Sequence, residues 1–399
     1  MRPLPTPAVF ATLGSIGLLY AAAVAQPVGL FLTPRDAFLE AVELYSVSAD
    51  GRTAGGNARS GLTGRQHADF ARFVAPGSLR YVHPPGGELS LRGFGMSDDA
   101  AVIVGSAQSV GDPFDPLPAL TTPAGGLEVF SAREINADAG EFLGVSGDGS
   151  TAVGYLRTGS DQTERRFATR WTRATGVQVV PPPRPETLWN HAQAASRDGS
   201  MVVGDSVRAD WNTEAWVWTA QSGTRLLPPL PFSSFGGAGA HGISPDGQWI
   251  VGDSDSSAGP RHPCLWGPDG VLDLGVARSY QSGRAVDVNA NGTAAALFLG
   301  NPRAGSGDRE NAAAIWTETT GTMVLDDYLA LHGIAVPRGV RLYSSEAISD
   351  DGLTIAGNAR YNDAQGVERW IGFVATVPGP GAVAVCAAAG ALLNARRRR

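Results

Sequence analysis

The sequence predicts an all-β fold, a seven-bladed β-propeller of four-stranded blades that is closed by an N-terminal strand completing the last blade. Three observations lead to this prediction: a turn motif recurs along the chain, strand patterns recur around each copy, and glycine and proline are abundant. The 399 residues include 52 Gly and 27 Pro, while 43% are hydrophobic. Such a composition is typical of many short strands joined by tight turns.

The recurring motif is Ser, a variable residue, Asp and Gly. Its copies begin at Ser48, Ser97, Ser146, Ser196, Ser244, Asn289 and Ser349. Successive copies are spaced by 45 to 60 residues. Asp-Gly and Asn-Gly tolerate the positive φ angles of a two-residue hairpin turn, and the Ser and Asp side chains can bond nearby backbone N–H groups. Each copy therefore predicts a β-hairpin.

Further strand patterns surround each turn. A β-rich run that ends in Gly follows it, as in residues 201–204, 249–252 and 353–357, and such a Gly permits close backbone approach. A third strand alternates up to a Trp, and a fourth begins at a Gly, as at Gly176, Gly223 and Gly270. Four strands in about 48 residues is the size of one propeller blade.

Ring closure supports the count of blades. The last repeat ends at its third strand, residues 372–376, whereas residues 29–34 form an isolated fourth-strand pattern ahead of the first turn. Pairing these two segments would complete the seventh blade and leave no open sheet edge.

Two stretches depart from the pattern. In the second repeat Ala100 replaces the turn Gly, and the Pro-rich residues 112–123 stand where the third strand is expected. In the last interval, residues 324–333 place Leu325, Tyr328, Leu329 and His332 at helical spacing before Gly333. This spacing predicts a short helix, C-capped by Gly333 and laid over the ring.

The repeats resemble the HAF-repeat family. Residues 214–254 carry its Ala-aromatic-x-Trp strand, its Gly-x-x-x-Leu strand and its Ala-x-x-Ile-Ser-x-x-Gly-x-x-Val-Gly hairpin, and weaker copies cover about residues 29–377. The resemblance implies a propeller and an exported setting. It implies no established activity.

The two ends have the pattern of targeting signals. Arg2, the apolar residues 8–25 and the ending Ala23-Val24-Ala25 predict a signal peptide over residues 1–25. The propeller is expected over 26–377. Residues 378–399 combine Pro-Gly-Pro, an apolar run and four Arg, which resembles the PEP-CTERM sorting signal and implies an exosortase-like sorting enzyme as partner. Because Gly379 replaces the family's Glu, a variant enzyme or a plain membrane anchor stays open.

The charge distribution excludes some partners. The formal charge is −7, every basic residue is Arg, and five of these Arg lie in the two end segments, which leaves an acidic body. Such a body repels nucleic acid and anionic lipid, so membrane contact is expected only through the tail. The two cysteines, Cys264 and Cys386, are not expected to pair, and the fold must rely on its core.

The sequence predicts no catalytic, cofactor-binding or metal-ligating residue. The six His stand at no zinc spacing, and they are His67, His83, His191, His241, His262 and His332. His262 and the repeated Asp are interpreted as structural, and Asp253 with Asp255 as a solvated turn. The repeated Trp are expected to fill the core, namely Trp171, Trp218, Trp266 and Trp316. Trp211 is the expected exposed aromatic.

Two functions follow from these observations. The first is a non-catalytic binding or structural module for polysaccharide or a surface protein, sorted to the cell envelope or extracellular surface of a Gram-negative-type bacterium. The alternative is a secreted polysaccharide lyase or hydrolase whose catalytic residues come from different blades. Unlike titratable groups at the mouth of the channel would favour the enzyme, and turn residues alone would favour the binding module.

Overall fold

The structure is a computed structural model, and it describes residues 27–34, 39–60, 67–75, 77–82, 89–109, 112–121, 126–160, 163–231, 237–277, 280–300 and 311–379. The predicted signal peptide and nearly all of the predicted sorting tail lie outside these ranges. The described residues form antiparallel strands and two short helices.

Most strands follow one another in groups of four, and one further strand precedes the first group. This preceding strand is β1 (Gly29–Leu32). The first two groups are β2 (Leu39–Val47), β3 (Thr53–Ser60), β4 (His67–Val74) and β5 (Ser78–Val82), then β6 (Leu89–Met96), β7 (Ile103–Ser109), β8 (Asp112–Thr121) and β9 (Leu127–Val129). Helix α1 (Ala132–Ile135) follows. The next two groups are β10 (Ala139–Val145), β11 (Thr151–Thr158), β12 (Arg165–Thr172) and β13 (Gly176–Val179), then β14 (Thr187–Ala195), β15 (Met201–Arg208), β16 (Thr213–Thr219) and β17 (Gly223–Leu226).

The remaining strands continue this order. They are β18 (Ala238–Ile243), β19 (Ile250–Ser256), β20 (Gly259–Gly267) and β21 (Gly270–Asp273), then β22 (Ser282–Val288), β23 (Ala294–Gly300), β24 (Ala312–Thr317) and β25 (Gly321–Val324). After helix α2 (Leu325–Leu331) come β26 (Val340–Ile348), β27 (Thr354–Asn362) and β28 (Glu368–Thr376). Single parallel bridges between β2 and β28 and between β12 and β14 join neighbouring groups into eight-stranded sheets.

The predicted closing pair is present. Strand β1 pairs antiparallel with β28, Gly29 opposite Thr376 and Leu32 opposite Phe373, and we call this pairing the clasp. Leu30 and Leu32 pack against the core cluster that contains Phe373, while Phe31 packs against the cluster on the other face. The first and last strands of the described chain therefore share one sheet.

Each turn motif joins the first and second strands of a group, as predicted, but the turn is longer than two residues. In the first copy the Ser48 N–H donates to the Thr53 carbonyl, which leaves four residues in the loop. The Ser48 hydroxyl donates to Asp50 at 2.7 Å and accepts from the Thr53 N–H at 3.0 Å. Only the Gly has positive φ, 70° at Gly51, so a two-residue turn was the wrong prediction.

Consecutive turns are linked by backbone hydrogen bonds, and we call this series the belt. The bonds join N–H to C=O in the order Ala49 to Asp98, Asp98 to Gly147, Asp148 to Arg197, Arg197 to Pro245, Ala290 to Asp350 and Asp350 to Ala49. The step from Pro245 to Ala290 has no such bond, because proline carries no N–H.

A Gly inside the second strand permits close backbone approach, as predicted, in every group except β22–β25, where Leu297 holds the position. A Cβ on Gly204 would lie 1.9 Å from the His191 carbonyl oxygen, and one on Gly252 would lie 1.9 Å from that of Gly239. No side chain fits at such a distance. These glycines bring the second strand against the first, next to the centre of the ring.

The two irregular stretches fold differently from expectation. The Pro-rich segment of the second repeat does form its third strand, β8, which pairs with β7 and β9. Ala100 takes the turn position with φ 58°, a conformation that costs a non-glycine residue about 1–2 kcal/mol. Helix α2 is present, but its buried Leu325 and Leu329 belong to the core cluster with Ile315 and Ile355, so the helix packs into the core and not over the ring.

Most of the predicted core tryptophans are buried. Trp171, Trp266 and Trp316 are 8%, 4% and 8% exposed, each in a cluster between neighbouring sheets. Trp218 is only half-buried, and the fully buried indole of its strand is Trp216. The alternating pattern of these strands therefore predicted correctly that most of these tryptophans are buried.

The clasp gives a stability prediction. A chain that begins at Thr33 should lose about 3 kcal/mol or more of unfolding free energy, because the half-buried Leu30 and Leu32 are removed together with the strand pairing. A chain that begins at Val28, which is 52% exposed, should match the mature protein and is the control. Urea unfolding measures both, and equal midpoints for the two chains would contradict the role of the clasp.

Candidate functional site: the central channel

The first strands of the groups, β2, β6, β10, β14, β18, β22 and β26, surround a cavity of about 390 Å³. Each of these strands has a β-bulge, one extra residue relative to its partner strand, close to the turn motif, and β2, β14 and β26 have a second bulge farther from it. The bulge residues close to the turns all line the cavity, and they are Tyr45, Phe94, Leu143, Gln193, His241, Val286 and Glu346.

Crowding of neighbouring backbones explains why the bulge residues line the cavity. A Cβ on Gly144 would lie 2.5 Å from the Gln193 carbonyl oxygen, and one on Gly242 would lie 2.5 Å from that of Val286. Side chains are therefore excluded next to the bulge on these strands. The bulge position can hold different side chains, so the bulge residues determine the surface of the cavity.

Three charged residues from separate turns meet at one mouth of the channel. Arg197 Nε lies 2.8 Å from an Asp98 carboxylate oxygen, and another nitrogen of Arg197 pairs with Asp350. Burial and the neighbouring carboxylates, Asp350 foremost, raise the pKa of Asp98, and the Arg197 charge opposes this rise. All three residues occupy the variable position of the turn motif. Neither carboxylate that Arg197 binds belongs to a turn directly next to its own. The pairs thus connect distant parts of the ring.

Asp287 lies inside the channel beside its bulge. Its carboxylate accepts the Val288 N–H at 2.8 Å and the Ile348 N–H of the neighbouring first strand at 2.9 Å. Burial raises the pKa of Asp287 to about 6, against the lowering effect of these hydrogen bonds, and the charges of Asp350 and Asp98 add to the rise. The carboxyl thus changes its charge near neutral pH.

A second carboxyl and a phenol line the channel farther from the turns. Burial raises the pKa of Glu346, which Ser344, Arg284 and Asn358 partly offset. Burial likewise raises the pKa of Tyr45, with Glu43 and Glu346 adding to the rise, so its hydroxyl stays protonated. Tyr45 also contacts the Phe94 ring at 6.0 Å between centroids. This side of the channel combines aromatic faces with acidic groups.

Two histidines are paired with aspartates of second strands. His191 Nδ1 lies 3.2 Å from Asp205, which also accepts from Gln193 at 2.7 Å. Burial alone would raise the pKa of Asp205, but His191, Gln193 and His241 hold it below its ordinary value. His241 Nε2 lies 2.6 Å from Asp253. The channel wall is thus a network of hydrogen-bonded ionisable groups.

Of the residues interpreted from sequence, Asp253 and Asp255 were placed wrongly. Both lie in strand β19, and Asp253 is 3% exposed, so they do not form a solvated turn. His262 is buried in β20 and paired with Asp273 at 3.1 Å, as a structural residue would be. The bulge residues were missed, because a one-residue insertion in a strand leaves no regular spacing to detect.

Within the described ranges no group of three His, Cys, Asp or Glu is placed to hold a metal ion. Neither described helix is long and apolar enough to cross a membrane.

No family model matches the chain, and no curated protein matches it. Solved structures do resemble it. A prolyl endopeptidase superposes with a TM-score of 0.53 at 12% identity, over 86% of this chain and 51% of that chain. The β-propeller domain of the Trilobed protease from Pyrococcus furiosus has a TM-score of 0.49 at 9% identity, over 86% and 98%. TolB from Acinetobacter baumannii has a TM-score of 0.40 at 15% identity, over 57% and 52%.

These likenesses bear on the fold alone, because the identities do not exceed 15%. The chain spans about half the length of the TolB and prolyl endopeptidase chains that it matches. The protein is all-β, with several four-stranded sheets around a central channel, and belongs to the β-propeller class of folds.

The raised pKa of Asp287 gives a pH prediction. Because its folded pKa, about 6, exceeds the ordinary 3.8, its stabilising contribution is complete below about pH 4 and is lost as pH rises through 6. The unfolding free energy of the protein minus that of Asp287→Asn should therefore fall between pH 4 and pH 7. Urea unfolding across this range checks it, with exposed Glu186→Gln as the control. A difference that is flat with pH would show that the carboxyl is not perturbed.

Proposed function

We propose that the chain is an exported, envelope-anchored or surface-sorted protein whose seven-bladed ring is a non-catalytic binding or structural module for polysaccharide or protein. The count of blades is supported by seven turn motifs, each preceded by a first strand with a bulge that lines the channel and followed by its own second strand. The HAF-like repeats and the PEP-CTERM-like tail support the setting and an exosortase-like sorting enzyme as partner.

The observation that carries the proposal is the contrast between repeated and unrepeated positions. The turn Ser, the turn Asp and the second-strand Gly recur along the chain, because each meets the same local requirement. The bulge position instead holds an acid, an amide, an imidazole, a phenol and apolar groups. A scaffold needs no such variety, whereas a ligand site is built from a few unlike groups in a concave surface.

Existing hydrogen bonds favour binding over catalysis. Arg197 is paired with two carboxylates, Asp287 accepts two backbone N–H groups, and His241 is paired with Asp253. Groups engaged in this way present a fixed polar surface. A general acid or base must instead reach the proton of a substrate.

A polysaccharide hydrolase or lyase is the second candidate, and one observation favours it. The channel holds unlike titratable groups, including two carboxyls, Asp287 and Glu346, with raised pKa values. A carboxyl with a raised pKa is what glycoside cleavage requires of its general acid. Release of new reducing ends from a bound polysaccharide, lost in Glu346→Gln, would support this candidate.

Export has a direct test. The mature protein recovered from the envelope of a Gram-negative host should begin at Gln26, because cleavage is expected after Ala23-Val24-Ala25. N-terminal sequencing measures this. Envelope material that still begins at Met1 would contradict export by this route.

Binding is tested with the mature protein, a panel of extracellular polysaccharides and extracts of surface protein. Leu143→Trp enlarges a bulge side chain inside the cavity and should weaken binding roughly tenfold or more. Val179→Ala, on an outer strand and 53% exposed, is the matched control and should bind as the unmodified protein. If neither polysaccharide nor surface protein binds, or if Leu143→Trp has no effect, the proposal fails.

A further inference from the structure

A second cavity lies at the rim opposite the turn motifs, between the sheet β14–β17 and the sheet β18–β21. It encloses about 440 Å³, and we call it the rim cleft. The β15–β16 loop, the start of β18, and strands β19 and β20 supply its lining, which is Asp210, Trp211, Asn212, Thr213, Gly237, Ala238, Asp253, Asp255 and Arg261. The cleft thus combines one large aromatic with carboxylates, an amide and a guanidinium.

Trp211 is the expected exposed aromatic, and it is 66% exposed. It ends a three-residue hairpin loop in which its N–H donates to the Arg208 carbonyl, and its φ is 65°. This is the position that a glycine normally takes in such loops, because a side chain there is strained. An exposed indole at a strained position stabilises neither the core nor the turn.

Strain in the backbone is concentrated at the rim cleft. Among the described residues only four non-glycines have positive φ: Ala100, Asn136, Trp211 and Arg261. Ala100 sits in a turn motif and Asn136 ends helix α1, so each has a local explanation. The other two line the same cavity. Unfavourable backbone conformations in folded proteins gather at ligand sites.

Neighbouring groups fix the orientation of the indole. The Trp189 ring meets Trp211 edge to face, with 5.1 Å between centroids, and the Arg166 guanidinium lies over Trp189 at 5.0 Å. The Arg208 guanidinium holds Asp210 at 2.7 Å. These contacts hold the Trp211 ring in place, with its outer face exposed to solvent.

Hydrogen bonds within the protein also position the polar side chains that line the rim cleft. Asp253 accepts from His241 at 2.6 Å on one oxygen and from Arg261 at 3.2 Å on the other. Asp255 accepts the Arg261 N–H at 3.2 Å and the Gly237 N–H at 3.3 Å. Each carboxylate oxygen keeps a second lone pair for a hydroxyl donor. His241 lines the central channel and bonds Asp253 of the rim cleft, so this hydrogen bond connects the two cavities.

We infer that the rim cleft is a saccharide subsite, in which the apolar face of a pyranose ring packs on Trp211 while its hydroxyls bond Asp210, Asp253, Asp255 and Arg261. This inference rests on the proposed function. Three carboxylates face one guanidinium here, so the site suits a neutral sugar and repels a uronic acid. A polysaccharide laid over this rim would place one sugar on Trp211 and another near the channel.

The test uses the mature protein with neutral hexasaccharides of glucose, xylose and mannose, and with hexagalacturonate as the charged probe. Trp211→Gly removes the indole and also relieves the strained backbone, so it should raise the melting temperature by about 1–2 °C. The same change should weaken binding of the preferred neutral hexasaccharide roughly tenfold or more. Trp211→Phe keeps an aromatic face and should bind within about threefold of the unmodified protein. Calorimetry measures affinity, and quenching of indole fluorescence reports stacking.

The outcomes separate this site from the proposed function. Loss of affinity in a Trp211→Gly variant that is at least as stable as the unmodified protein supports the subsite. Unchanged affinity in that variant overturns it, and the proposed function still stands if Leu143→Trp weakens binding. Tighter binding of hexagalacturonate, or binding of surface protein with no neutral sugar, also overturns the subsite. Only failure of every polysaccharide and protein probe removes both.

Discussion

The architecture depends on one interaction between distant parts of the chain, the antiparallel pairing of β1 with β28. Groups of four strands pack side by side through the small and apolar residues of their facing surfaces, and each group buries its core only against a neighbour. Without the clasp the last group would lack its outer strand and leave the backbone groups of β28 unpaired. The central channel keeps its dimensions only while the surrounding sheets form a closed series.

Much of the fold could be predicted from the sequence because its determinants are local and repeated. The Ser-x-Asp-Gly motif fixes the turn through bonds within six residues, and the second-strand glycines mark contacts with an adjacent strand. The clasp was also predictable, because residues 29–34 have a strand pattern with no local partner. The local pattern gave the wrong turn length, because Asp-Gly also suits a two-residue turn, and the wrong place for helix α2, because that depends on how neighbouring groups pack.

The site was much harder to predict. Each bulge adds one residue to a strand, and the alternation on either side continues, so Gln193 or Glu346 looks like any other strand residue in one sequence. Asp253 is similar: its spacing to Asp255 suggests a loop, whereas His241 and Arg261 bury it in a strand. Trp211 was recognised by its polar neighbours, but its strained backbone is visible only in three dimensions.

The belt is interrupted once, between Pro245 and Ala290, because proline lacks the backbone N–H that donates the hydrogen bond at the other steps. The sheets β18–β21 and β22–β25 therefore meet at the turn rim without the link that restrains their neighbours. The series of backbone links at this rim is consequently uneven around its circumference. The turns of Arg197 and Asp350 lie on either side of the turns of these two sheets, and the ion pair of Arg197 with Asp350 joins them, so a side-chain contact across the mouth of the channel spans the step that lacks a backbone link.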